Sequence, residues 1–235
     1  CTKLQQALGS YTLISANDTV FQKFTRHKLA LLDGDLLENL DRAVADFRFG
    51  KQVLVCVNTV RRAQEVQGRL KKHGLQEDQD ILLIHSRFIV RDRIKLEEKV
   101  LERSALDTTD RTPFILIATQ VVEVSLNIDL DTIYSDPAPL EALLQRFGRV
   151  NRACKKGICP VHVFREPQDG QGVYGRSRDT AKAGHIVHLT LAELEKHKDD
   201  EVINEAHIND WLDAIYADSD LQQAWEAEYN RVAMN

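Results

Sequence analysis

Residues 145–152 read Gln-Arg-Phe-Gly-Arg-Val-Asn-Arg, which puts Arg149 and Arg152 three positions apart behind a glutamine and a glycine. On a helix, residues so spaced share a face. Two guanidiniums on one face can grip a polyanion such as a phosphate chain, because each offers several N–H donors in a fixed fork. Gly148 would let a partner come close to the backbone. Arg146, Lys155 and Lys156 add charge, and residues 145–156 contain no acid. The whole chain carries a net charge of −5, so any attraction to phosphate has to be local.

Further polar groups follow short apolar runs. Asn58-Thr59, then Arg61-Arg62, follow 53–57; His85-Ser86-Arg87-Phe88, then Arg91 and Arg93, follow 81–84. Thr119-Gln120 follow 114–118, and Asp136-Pro137-Ala138-Pro139 follow 131–135 and open the helix that delivers the arginine string. Hydroxyls and free amides at helix starts suit phosphate oxygens, since backbone N–H groups there lack partners. Thr59 and Ser86 could equally be plain helix caps. Several such turns on one edge favour a phosphate track. The charged helix at 91–103 alternates Glu97, Glu98 and Glu102 with bases, which predicts a solvated face.

The elements that must position these groups follow from periodicity. Runs at 28–32, 53–57, 81–84, 114–118, 130–134 and 161–164 are continuously apolar or nearly so, as in strands buried on both faces of a parallel sheet. Helical patterns at 35–48, 60–72, 91–103 and 139–147 alternate with them. The fold class is therefore α/β: a doubly wound, mainly parallel sheet flanked by helices, with a C-terminal helical extension. Residues 28–165 form the sheet domain. Residues 1–27 fit no periodic template and lead in from a preceding unit; the chain opens on Cys1, which predicts a piece of a longer polypeptide. Residues 166–189, with Gly170, Gly172, Gly175 and Gly184, predict a flexible loop, and 190–235 an acidic helical extension striped by Trp211, Ile215, Leu221 and Trp225.

Length and composition exclude other classes. The 235 residues suffice for one sizeable core and an appendage, and no apolar run is long enough to span a membrane. A cytoplasmic location is expected, without membrane contact. Cys154 and Cys159 flank a Lys-Lys-Gly turn, but no second Cys/His pair has zinc spacing, so no metal site is expected.

Four segments carry a family resemblance: VLVCVNTVRRAQEV (53–66), HSRFIVRDR (85–93), ATQVVEVSLNIDLD (118–131) and QRFGRVNR (145–152). In this order they resemble the later motifs of superfamily-two helicases, most closely the CRISPR-associated helicase-nuclease of type I systems. The resemblance spans about residues 50–165. It implies a RecA-like second motor lobe of an ATP-dependent helicase that translocates on single-stranded DNA in antiviral CRISPR interference. By that likeness Arg149 and Arg152 are arginine fingers and Gln145 orders them and the attacking water. Asn127, Asp129 and Gly148 face the nucleotide. Asn58, Thr59, Ser86, Arg87, Thr119 and Gln120 line the DNA. Asn127 departs from the family, which usually has an acid there; an amide cannot pair ionically with an arginine.

There is no G-x-x-x-x-G-K-[ST] loop and no Asp-Glu box at a strand end. ATP and Mg²⁺ are therefore expected only in the complete two-lobe enzyme, none being held by this chain alone, and the isolated chain is expected to lack ATPase activity. Its implied partners are the first RecA-like lobe and nuclease domain, single-stranded DNA and a CRISPR surveillance complex. The competing reading is a non-catalytic module, derived from a helicase lobe, that binds nucleic acid or a partner protein. A lobe from another superfamily-two ATPase is a third reading, against which the HSRF and ATQVVE strings weigh.

Overall fold

A computed structural model describes residues 17–109, 111–124, 126–166, 174, 185–197 and 202–233. Each apolar run becomes a strand: β1 (His27–Leu32), β2 (Gln52–Cys56), β3 (Ile81–Ile84), β4 (Phe114–Ala118), β5 (Thr132–Ser135) and β6 (Cys159–Phe164). They form one sheet in the order β1-β6-β5-β2-β4-β3, with every neighbouring pair parallel. Parallel neighbours need crossovers, and helices supply them. These are α2 (Leu40–Arg48), α3 (Val60–Lys72), α4 (Val90–Ser104), the single-turn α5 (Val121–Val124) and α6 (Leu140–Phe147). A short α1 (Asp18–Gln22), capped by the Asn17 side chain, precedes the sheet.

Alternation along the central strands divides the core in two. Leu54 and Cys56 of β2, with Leu116 and Ala118 of β4, belong to one buried cluster; Val53, Val55, Ile115 and Ile117 belong to the other. The second cluster is closed by α2 and α3 through Leu40, Val44, Ala63, Val66 and Leu70. The first is closed by α4, α6 and the carboxyl-terminal helices α7 (His185–Glu195) and α8 (Ile208–Tyr216), through Val100, Leu143, Leu194, Trp211 and Ile215. Two layers of helix over a sheet whose central strands are buried on both faces are what continuous apolar strands require.

Two expectations are corrected. Residues 185–189, assigned to a flexible loop, are the first turns of α7. This helix spreads its apolar side chains over much of its circumference, so it lacks the stripe by which a helix is recognised in sequence. The segment from 190 onward is not simply an appendage, because Leu194, Ile203, Trp211 and Ile215 share the sheet's own core; within it α9 (Ser219–Ala233) carries the exposed aromatics Trp225 and Tyr229. Of the remaining expected segments, residues 1–16, 167–173, 175–184, 198–201 and 234–235 lie outside the described residues.

The sheet's two edges are both partly closed. Along β1, Ile203 donates its N–H to the His27 carbonyl at 2.9 Å and Val202 bridges Lys28 in antiparallel fashion. Beside β3, the preceding turn folds back, with Asp78 donating to the Ile81 carbonyl at 3.0 Å. Among the described residues no helix is long and apolar enough to cross a membrane.

Candidate functional site

Strands β4 and β5 flank β2, so the loops leaving these three strands meet at their carboxyl ends, where open α/β sheets place their sites. The polar groups there form one continuous internal network. Arg62 is 1% exposed and lies between two carboxylates. Its Nε and Nη2 donate to Asp136 at 2.9 and 2.8 Å, and Nη1 and Nη2 donate to Asp35 at 3.1 Å each. Burial works against this charge, but the bonds to Asp136 and Asp35 outweigh it and the guanidinium pKa is raised. Asp136 also accepts the Asn58 N–H at 3.0 Å, and the Asn58 amide donates to the Pro137 carbonyl at 2.8 Å.

The network continues into the arginine string. Arg146, on the last turn of α6, is 0% exposed. Its Nε donates to Glu123 Oε1 at 2.9 Å, Nη1 to Ser135 Oγ at 3.0 Å, and Nη2 to Asn58 Oδ1 at 3.0 Å and Tyr174 OH at 2.8 Å. Asn58 and Arg62, expected to face a phosphate track, are thus internal scaffold: a buried charge is tolerated only with partners, and these have found theirs within the chain.

Arg149 corrects the expectation of a free finger. It follows the end of α6, is 8% exposed, and turns onto the chain's own loop. Its Nε donates to the Val122 carbonyl at 2.8 Å and Nη1 to that of Leu126 at 2.7 Å, while Nη2 donates to the Glu123 carbonyl. These acceptors include carbonyls left over at the end of the one-turn α5, which a guanidinium readily satisfies. All are neutral. Burial, with the like charge of Arg152 beside it, lowers the Arg149 pKa.

Arg152 differs: it is exposed. Its backbone N–H donates to Asp129 Oδ1 at 2.8 Å and its Nε to Asn127 Oδ1 at 2.9 Å. Among the described residues no carboxylate lies within ion-pair reach of this guanidinium. Asp129, expected to face a nucleotide, is buried instead and occupied by Arg152 N–H, Lys156 at 3.2 Å and Arg111 at 3.9 Å. Its place is behind the arginine, not in front of it. Lys156 also pairs with Asp131 at 2.8 Å, so it leaves the expected basic stripe, as does buried Arg146. Arg152 and Lys155 remain exposed.

Two further bonds make the loops ending at 130 and 151 one unit. Leu130 donates to the Arg149 carbonyl and Asn151 donates to that of Leu130, each at 2.9 Å. Asn151 is buried with a φ of +46°, and its Oδ1 accepts the Lys156 N–H at 3.0 Å. Gly148 needs no such freedom: its φ is −59°, and an added Cβ would meet only the Gln145 and Leu144 carbonyls at 3.4 Å. Gln145 is exposed on α6.

The remaining expected nucleic-acid residues divide. Thr59 caps α3, its hydroxyl accepting the Arg62 N–H at 3.1 Å. Thr119 is buried, and Gln120 donates to the Asn58 carbonyl at 2.8 Å. Ser86 and Arg87, beyond β3, are exposed. Ser86 is no helix cap, because α4 starts after Ile89 without a side-chain cap. His85 stacks on Phe88 with ring centres 4.2 Å apart, and burial lowers its pKa. Ile89 and Val90, 60% and 75% exposed, adjoin them. A groove of about 710 Å³ runs from His85 and Arg87 down between α3 and α4. Asp35, Glu123 and Asp136 were not singled out as site residues from sequence. The usable signal was a carboxylate within a residue or two of a strand's carboxyl end, as at Asp136.

Residues 49–155 match the family model of the CRISPR-associated nuclease/helicase Cas3, C-terminal. The CRISPR-associated endonuclease/helicase Cas3 of Escherichia coli K12 is 33% identical over 193 residues, which are 80% of this chain and 21% of that protein. The CRISPR-associated nuclease/helicase Cas3 of Streptococcus thermophilus is 39% identical over 119 residues, 51% of this chain and 12% of that one. Among solved structures, T. fusca Cas3 superposes with a TM-score of 0.69 at 23% identity, covering 89% of this chain and 26% of its own. The likeness confirms the RecA-like fold. The chain thus spans about a fifth to a quarter of the length of these relatives, the Streptococcus protein less.

Proposed function

The chain belongs to the Cas3 family as the second RecA-like lobe of its helicase, and on that premise we propose that it is one half of an ATP-driven motor that moves along single-stranded DNA. The observation that carries this is Arg152. Its guanidinium is exposed and steered by a neutral amide, and its backbone is held by a buried carboxylate. A cation presented in this way keeps its charge for a phosphate that arrives from outside. Bound ATP would supply the phosphoryl group transferred to water. This chain would contribute a fixed positive charge where negative charge develops, a role worth about 10³–10⁵ in rate in other nucleotide hydrolases. The solved T. fusca Cas3 bound to ATP, ADP and AMPPNP supports nucleotide use by the complete protein. The phosphate-binding loop and the Mg²⁺-holding acids would come from the first lobe. Arg87 and Ser86 would touch the DNA backbone, and a relative's presence in a pre-nicking CRISPR RNA-guided surveillance complex supports a place in CRISPR interference.

Reconstitution tests this. The isolated chain is expected to hydrolyse no ATP. Joined to its amino-terminal lobe it should hydrolyse ATP when single-stranded DNA is added. Arg152→Ala should then reduce turnover by about 10³ or more without altering thermal melting. Full turnover in that variant would overturn the proposal. The burial of Arg149 favours one second reading, a non-catalytic nucleic-acid-binding module; DNA binding by the joined lobes with no hydrolysis would select it.

A further inference from the structure

Glu123 touches both inner arginines of the string, one through its side chain and one through its backbone. Its carboxylate accepts Arg146 Nε at 2.9 Å, and its carbonyl accepts Arg149 Nη2. The carboxylate is 13% exposed and faces a guanidinium that is wholly buried. The other Arg146 donors fix that guanidinium to Asn58, Ser135 and the Asp136 carbonyl, all at the ends of the central strands. Arg146 is therefore immobile, and Glu123 is tied to it. What Glu123 carries is the one-turn α5, whose carbonyls at Val122 and Glu123, with that of Leu126, form the cradle of Arg149.

We propose that Glu123 is a positioning residue: its ion pair with Arg146 pins the turn after β4 to α6 and so fixes the carbonyl cradle that anchors Arg149 and, through the backbone that follows it, the placement of Arg152. This rests on the motor reading above. Without the Glu123 charge, Arg146 loses its ionic partner, the turn is free to shift and the Arg149 guanidinium loses its single orientation. Rate is sensitive to such shifts, since a displacement of about 1 Å can cost about 10²-fold.

The test uses the complete two-lobe protein. Glu123→Gln keeps an acceptor oxygen for Arg146 and removes the charge. It should lower kcat for DNA-stimulated ATP hydrolysis by at least about tenfold, leaving KM for ATP and the half-saturating DNA concentration within about threefold. Because the effect passes through Arg149, adding Glu123→Gln to Arg149→Ala should slow the enzyme no further. If Glu123→Gln does not melt cooperatively, Glu123→Asp decides. It keeps the charge but withdraws it by one methylene, and a reduced kcat at unchanged KM is expected. Wild-type kcat in the folded variant overturns the proposal, and so does full additivity with Arg149→Ala. Arg152→Ala run alongside separates the two ideas. If Arg152→Ala turns over normally, the motor reading fails and Glu123 with it. If Arg152→Ala is inactive while Glu123→Gln runs at full rate, only the role of Glu123 fails.

Discussion

The turn after β2 and the turn after β3 look alike in sequence: each gives a hydroxyl residue and an arginine at the start of a helix. In the folded chain they are opposites. After β2, a central strand, Asn58 is buried, Thr59 caps α3 and Arg62 sits between Asp35 and Asp136. After β3, an edge strand, Ser86 and Arg87 are exposed, with apolar Ile89 and Val90 beside them. A strand's place in the sheet decides whether its terminal polar groups become scaffold or surface. Central ends are crowded by loops on both sides, so their donors and acceptors satisfy one another. An edge end has neighbours on one side only.

The comparison breaks most readily at Arg62. Arg62→Ala leaves Asp35 and Asp136 facing each other in the interior, and breaking a buried pair by removing one partner costs about 3–5 kcal/mol. Urea denaturation should show that loss, while Arg87→Ala should stay within about 0.5 kcal/mol of wild type. In the complete protein Arg87→Ala should instead weaken single-strand binding about equally on all sequences and reduce the salt slope by about one contact's share. Similar stability losses in the two variants would erase the distinction.

A smaller effect, on pH, is largest in the inner region. His27 Nε2 lies 2.7 Å from the Val150 carbonyl, beside the arginine string. Burial lowers its pKa to about 4, against the Val150 bond that raises it and with the Arg26 charge that lowers it further. The folded pKa is below the unfolded value, so the unfolded chain takes up the proton first. Stability is complete above about pH 6.5, falls as pH drops and levels off below about 4, with a total of about 3 kcal/mol from this residue. Burial lowers His85 and His162 as well, in the same sense. Denaturation of His27→Gln at pH 7 and pH 4.5 should show a shallower acid loss than wild type; an identical loss would contradict the assignment.

The sharpest version of the comparison is also the smallest. Thr59→Ala removes a cap hydrogen bond and should cost about 1 kcal/mol. Ser86→Ala removes nothing the fold uses and should change stability by less than about 0.5 kcal/mol. Equal costs would mean that Ser86 has a structural duty after all.

The central strands were legible because a strand buried on both faces must be apolar throughout, as Val53–Val57 and Phe114–Ala118 are. Helices with one wet face, such as α3, were legible for the complementary reason. The start of helix α7 was not, since apolar residues spread around much of its circumference blur the periodicity. In the site, residue type was readable and direction was not. Arg62 finds its carboxylates 27 residues before and 74 after itself, and Arg149 finds its acceptors in main-chain carbonyls that every residue possesses. No local spacing encodes either choice. Arg152 was distinguishable only once Asp129 and Asn127 were seen behind it.

The closed borders of the sheet have a practical side. Residues 202–203 lie along β1, and the 76–80 turn folds over the start of β3. These contacts shorten the edge main chain left to pair with another strand, the usual route by which sheet edges associate. What remains open to self-association is the rest of each edge together with exposed side chains such as Trp225 and Tyr229, and the latter can be replaced one at a time.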